Sequence, residues 1–125
     1  MATVFSNAGK AINTNRIVGA GTQPTFIGWG TGAGTAAAAD TTLFTESAEA
    51  RVNGTGSRVT SASPAVTNDT YRVTGTLTAS AGRTITNAGV FDASTSGNLW
   101  VKGDHSSTVL ASGESIAYTV DLTFT

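Results

Sequence analysis

Apolar residues recur at every second position over much of this chain, most regularly at its C-terminal end. There Ile116, Tyr118, Val120, Leu122 and Phe124 alternate with Ala117, Thr119, Asp121, Thr123 and Thr125, the two-residue period of a strand with one buried face. A long apolar strand on an open edge invites association, so the pattern places this one inside a sheet or under a partner subunit. Tyr71, Val73, Gly75, Leu77 and Ala79 repeat the alternation against Arg72, Thr74, Thr76 and Thr78, which predicts a half-buried strand with a hydroxyl-rich outer face. Ile85 to Phe91 and Leu99-Trp100-Val101 predict two further strands, separated by a loop that contains Ser96-Gly97. Ala50, Val52 and Val59 fit a strand pair or bulged strand, interrupted by the turn signal Asn53-Gly54-Thr55-Gly56. After Pro24, Thr25 to Gly30 predicts a strand partly buried on both faces.

Two segments lack the period of two. Residues 1–22 carry isolated apolar side chains (Val4, Phe5, Ile12, Ile17, Val18) among Asn, Gly and Thr. With little core of its own to form, this segment is expected to be an extended N-terminal arm, ordered only by packing on something else. Ala36 to Ala39 followed by Asp40-Thr41-Thr42-Leu43-Phe44 is the sole helical candidate, a single turn capped by Asp40. Six or seven short strands divided by Gly, Ser and Asn turns predict an all-β fold, an antiparallel β-sandwich or jelly-roll-like domain over residues 23–125. At 125 residues the chain has enough surface to bury for one such core.

Composition narrows the function. Charged residues make up 12% of the sequence and the net charge is −1, so the surface must be covered largely by neutral hydroxyls. The five arginines (Arg16, Arg51, Arg58, Arg72, Arg83) are scattered, with only Lys10 and Lys102 beside them, which argues against nucleic acid as a partner. There are no cysteines, which removes disulfides and thiolate metal sites. No apolar run approaches the ~20 residues of a membrane span, so no membrane partner is expected. Met1 to Ser6 lacks the basic and apolar regions of an export signal. The glycosylation patterns at Asn53 and Asn68 are therefore read as chance.

Candidate chemistry is sparse. His105 is the one histidine and follows Asp104. Neighbouring residues on a strand point to opposite faces, so Asp104 is not expected to orient His105 for a hydrolase triad. The eight carboxylates (Asp40, Glu46, Glu49, Asp69, Asp92, Asp104, Glu114, Asp121) nowhere show calcium-loop spacing. Gly28-Trp29-Gly30-Thr31-Gly32-Ala33 fits a loose dinucleotide fingerprint, but no crossover helix follows, so a turn or bulge is the expected reading. Only Thr74-Gly75-Thr76-Leu77-Thr78 approaches the threonine ladder of an ice-binding face. No catalytic, cofactor or metal site is assigned. Trp29 and Trp100 are read as core or interface anchors rather than a sugar-stacking platform. Phe5, Ile12 and Ile17 complete the candidate interface residues.

Four stretches together resemble a known family. Ile27-Gly28-Trp29-Gly30-Thr31-Gly32 with Ala36 to Ala39 and Asp40-Thr41-Thr42-Leu43 is similar to the opening of small tailed-bacteriophage virion proteins. Thr84 to Ala93 resembles their "I-x-E-x-G-L-F-D/N-A" strand, Gly97-Asn98-Leu99-Trp100 a following strand, and Ser112 to Phe124 their terminus. Asn87 stands where the family has an acid. The resemblance covers roughly residues 25–125. It implies a non-enzymatic β-sandwich, commonly a homotrimer, that serves as a capsid decoration (cement) protein. The expected partners are the major capsid protein and further copies of itself. The expected place is the outer capsid surface of the virion, with the host cytoplasm during assembly. The alternative it implies is a tail-fibre or baseplate-associated protein, structural or receptor-binding.

Overall fold

A computed structural model of the chain describes residues 2–125. Its elements in chain order are β1 (Thr3–Phe5), α1 (Asn7–Ile17), β2 (Phe26–Gly30), β3 (Val52–Asn53), β4 (Thr55–Val59), β5 (Thr70–Thr78), β6 (Arg83–Phe91), β7 (Leu99–Leu110) and β8 (Ser115–Thr123). The strands form a five-stranded sheet, ordered β1-β7-β6-β2-β3, and a three-stranded sheet, ordered β4-β5-β8. Every pairing is antiparallel. The fold is the all-β, sandwich-like arrangement that the alternating pattern predicts.

The core lies between the sheets. Ile27, Trp29, Ile85 and Val90 of the large sheet are buried together with Val73 and Leu77 of the small one, and Ile116, Tyr118, Val120 and Leu122 of β8 pack against them. The large sheet is covered on its other face as well. There the long connection between β2 and β3 places Leu43 against Phe91 and Leu99. Gly28 and Gly89 sit directly opposite one another in the β2–β6 register. A Cβ on Gly89 would meet Leu43 at 2.9 Å, and one on Gly28 would meet it at 3.4 Å. The glycines in this region therefore mark a close approach of the covering loop to a central strand, and not the turn or bulge that the sequence pattern predicts.

Four further expectations are corrected. The N-terminal segment is not an extended arm over residues 3–17: it supplies an edge strand and an 11-residue helix. Ser6 explains the helix start. Its Oγ accepts from the Gly9 amide at 2.8 Å and donates to the Leu99 carbonyl at 2.5 Å, so one hydroxyl caps α1 and fastens it to β7. Residues 36–44, the expected helix, form loop and turn. Asp40 does not cap a turn that follows it: it closes the one before it, accepting from the Ala37 amide at 3.0 Å, and its carboxylate also holds Lys102, which keeps the chain on the sheet. β8 does not lie inside a sheet. Among the described residues it pairs with β5 alone, over nine residues from Thr70↔Thr123 to Thr78↔Ser115, and its other edge carries no strand. Residues 53–56 also behave unexpectedly, because β3 and β4 belong to different sheets. The chain crosses between layers at Gly54 instead of turning back as a hairpin.

Candidate functional site

The buried polar groups decide which side chains remain available. Trp29, fully buried, donates Nε1 to Glu49 Oε1 at 3.1 Å. Glu49 also accepts from Ser47 Oγ, from the Ser80 amide and hydroxyl, and from Arg83 Nε at 3.0 Å. Burial alone would raise its pKa, but the hydrogen bonds from Ser47, Ser80 and Arg83 outweigh that and hold it far below the usual 4.5. Lys102 is 1% exposed. Its ammonium reaches Asp40 Oδ2 at 2.9 Å and the Thr42 carbonyl at 2.8 Å, and stands 3.3 Å above the Phe44 ring. All three of its directions are filled, so it pins the covering loop to β7.

Asn87, also buried, pairs with one residue of that loop through both ends of its amide. The Phe44 amide donates to Oδ1 at 3.0 Å, and Nδ2 donates to the Phe44 carbonyl at 3.1 Å. A carboxylate could accept here but could not donate. An asparagine is therefore matched to this site.

Asp104 and His105 diverge as strand geometry requires. Asp104 Oδ1 and Oδ2 accept from the Ala2 and Ala36 amides, each at 2.7 Å, and those bonds lower its pKa. His105 turns to the other layer, with Nδ1 at 2.9 Å from the Ser106 carbonyl and Nε2 at 3.0 Å from the Tyr118 hydroxyl. A carbonyl only accepts, so Nδ1 carries the proton and Nε2 faces Tyr118. The phenol of Tyr118, largely buried, is pushed up to about 12. This histidine joins two sheets and is not oriented by the neighbouring acid.

The remaining carboxylates are engaged as well. Glu46 binds Arg51, Asp121 binds Arg72 bidentately, Asp92 binds Asn98, Asp69 accepts from Ser61 and Thr70, and Glu114 accepts from the Ala111 amide. All eight acids therefore hold structural bonds.

What is left open is apolar. At one end of the sandwich the sheets part around a groove of about 480 Å³. Its floor is a cross-strand row on the small sheet, Arg58↔Tyr71↔Leu122. α1 contributes Asn13, Arg16 and Ile17, and Phe124 closes the rim. Trp100 reaches the groove because it is the extra residue of a β-bulge. Val90 pairs with Val101 and Phe91 with Leu99, which leaves Trp100 without a partner and re-aims it. Its ring meets Tyr71 edge-on, with centroids 5.2 Å apart, and its Nε1 donates to Asn13 at 2.9 Å.

The five sequence-predicted interface residues thus separate. Ile12, Trp29 and Trp100 are buried in the chain's own core, and Phe5 is half-buried against it. Only Ile17, 84% exposed, presents its side chain outward. Sequence reasoning missed Arg58, Tyr71 and Leu122 as groove residues, since they come from strands whose register no local pattern reveals. Exposed Phe124 offered a signal: it continues the alternation of β8 past the last paired residue, Thr123. No family model, no curated protein and no solved structure matches this chain.

Proposed function

We propose that this chain is a capsid decoration protein of a tailed bacteriophage, a non-enzymatic trimer that sits on the outer head surface and braces neighbouring capsid subunits. The observation that carries the reading is the division of labour among its side chains. The acids and the histidine are engaged in holding loops and sheets together, whereas apolar groups are left facing outward. Ile17, Val18 and Phe124 are exposed, and such clustered exposure marks protein contacts. The bare edge of β8 is a second surface of this kind, since an unpaired strand edge accepts another chain's backbone. The motif resemblance over residues 25–125, which head decoration and tail-associated proteins share, supports a place in the virion.

Quantitative mass spectrometry of purified particles tests it. A copy number comparable with that of the major capsid protein is expected. A number matching a tail ring, or absence from the particle, overturns the head assignment. Heads that carry the protein should also open at a higher temperature than heads stripped of it.

A further inference from the structure

The groove between α1 and the small sheet has an unusual balance of groups. Several of its polar lining atoms already have partners within the chain. Gln23 Nε2 donates to the Tyr71 hydroxyl, that hydroxyl donates to the Pro24 carbonyl, and Trp100 Nε1 is held by Asn13. The charged groups that remain are two guanidiniums, with the Ser57 hydroxyl, Gln23 Oε1 and Asn13 Nδ2 as neutral groups beside them. Arg16 uses Nη1 on the Gly21 carbonyl at 2.9 Å, leaving its other donors open. The Arg58 guanidinium holds no hydrogen bond or ion pair among the described residues. No carboxylate lines the groove.

A ligand entering here meets apolar surface and charged donors. That set suits a carboxylate beside an apolar side chain, because a guanidinium donates only and binds carboxylates bidentately. The chain's own exposed apolar residues outside the groove, Val18, Val66 and Val109, have no acid within two positions. A second copy therefore does not supply the complement through them.

We propose that this groove docks an extended segment of a partner protein in which a large apolar side chain is flanked by Asp or Glu. The apolar side chain would lie over Tyr71 and Leu122, and the flanking carboxylates would pair with Arg16 and Arg58. The inference rests on the assembly reading in one respect, that the chain works by holding other proteins, and it names the surface and the partner's chemistry.

The full-length protein should be titrated with a fluorescein-labelled peptide, acetyl-Gly-Asp-Leu-Phe-Asp-Gly-amide, and with its twin carrying Lys for both Asp. Fluorescence polarisation is expected to show saturable binding of the acidic peptide, at least ~10-fold tighter than the basic one. That preference should shrink as salt rises. Arg58→Glu, on an exposed side chain that leaves the core intact, should abolish or invert it, and Phe124→Ser should weaken the acidic peptide. Equal binding of both peptides, no saturation of either, or a preference unchanged in Arg58→Glu overturns the proposal. A dimer in light scattering that blocks the peptide until dilution assigns the groove to a second copy and overturns it too. No particle enters this assay, so its failure leaves the head assignment standing, and a tail copy number leaves peptide binding untouched.

Discussion

Asn87 carries more of the covering loop than its size suggests. It is fully buried, and its amide accepts from the backbone N–H of Phe44 while donating to the carbonyl of the same residue. Asn87→Asp keeps the shape and removes the donor, leaving the Phe44 carbonyl short of one bond and placing a charge in a buried site. Stability should fall by about 2–4 kcal/mol, measured as a shift in the urea midpoint with unchanged slope. A change within experimental error would mean that the amide pairing is not what holds the loop. Glu49 works the same way at Trp29, the neighbour on β2 of the residue that Asn87 opposes. Glu49→Ala strands Trp29 Nε1 and Arg83 together, which should cost on the order of 2–4 kcal/mol. The sequence displayed these side chains but not their partners. Trp29 and Glu49 are 20 residues apart and Asn87 and Phe44 are 43 apart, separations at which only tertiary register decides who meets whom.

At the scale of elements, most of the strands were legible, whereas β1, β7 beyond Val101 and the helix were not, for a physical reason. A strand with one buried face announces itself through alternation, as β5 and β8 do. α1 buries only Gly9 and Ile12, too few positions to write a helical period. Its place is secured instead by the Ser6 cap and by a missing side chain. A Cβ on Gly9 would stand 2.2 Å from the Trp100 carbonyl oxygen. Two effects therefore oppose each other in Gly9→Ala. Helix propensity favours alanine by about 1 kcal/mol, whereas overpacking against backbone costs typically 1–3 kcal/mol. A backbone atom cannot swing aside as a side chain can, so the clash should win and the variant should be less stable by about 1–2 kcal/mol. Greater stability in a thermal melt would show that α1 can lift from β7 freely. The groove was hidden for a related reason. Its lining comes from α1, the connector after it, β4, β5, the bulge of β7 and the end of β8, and a bulge leaves no mark in hydropathy.

Across the whole molecule, the engagement of the acids sets a dependence on pH that can be worked out by sign. Asp40, Glu49, Asp69, Asp104 and Asp121 are all held below their ordinary values of 3.8 for Asp and 4.5 for Glu. The hydrogen bonds from Ala37 and Lys102 do this for Asp40, that from Ser61 for Asp69, that from the Ala36 amide for Asp104, and that from Arg72 for Asp121. A depressed carboxylate binds its proton more readily in the unfolded chain than in the folded one. Its stabilisation is therefore complete above the unfolded value and is lost as pH falls below it. The tyrosines act with the opposite geometry at the other limit. Burial raises Tyr71, and lifts Tyr118 from 10.0 to about 12, so above pH 10 the unfolded chain ionises first and gains. The urea midpoint should accordingly be level through the neutral range, fall steeply below pH 4.5, and decline again between about pH 10 and 12. Tyr118→Phe removes the alkaline contribution of that residue together with its bond to His105, and should flatten the upper limb while leaving the acid limb in place. An acid limb absent from the wild type, with the midpoint unchanged down to pH 3, would mean that these carboxylates bond as strongly in the unfolded chain as in the fold.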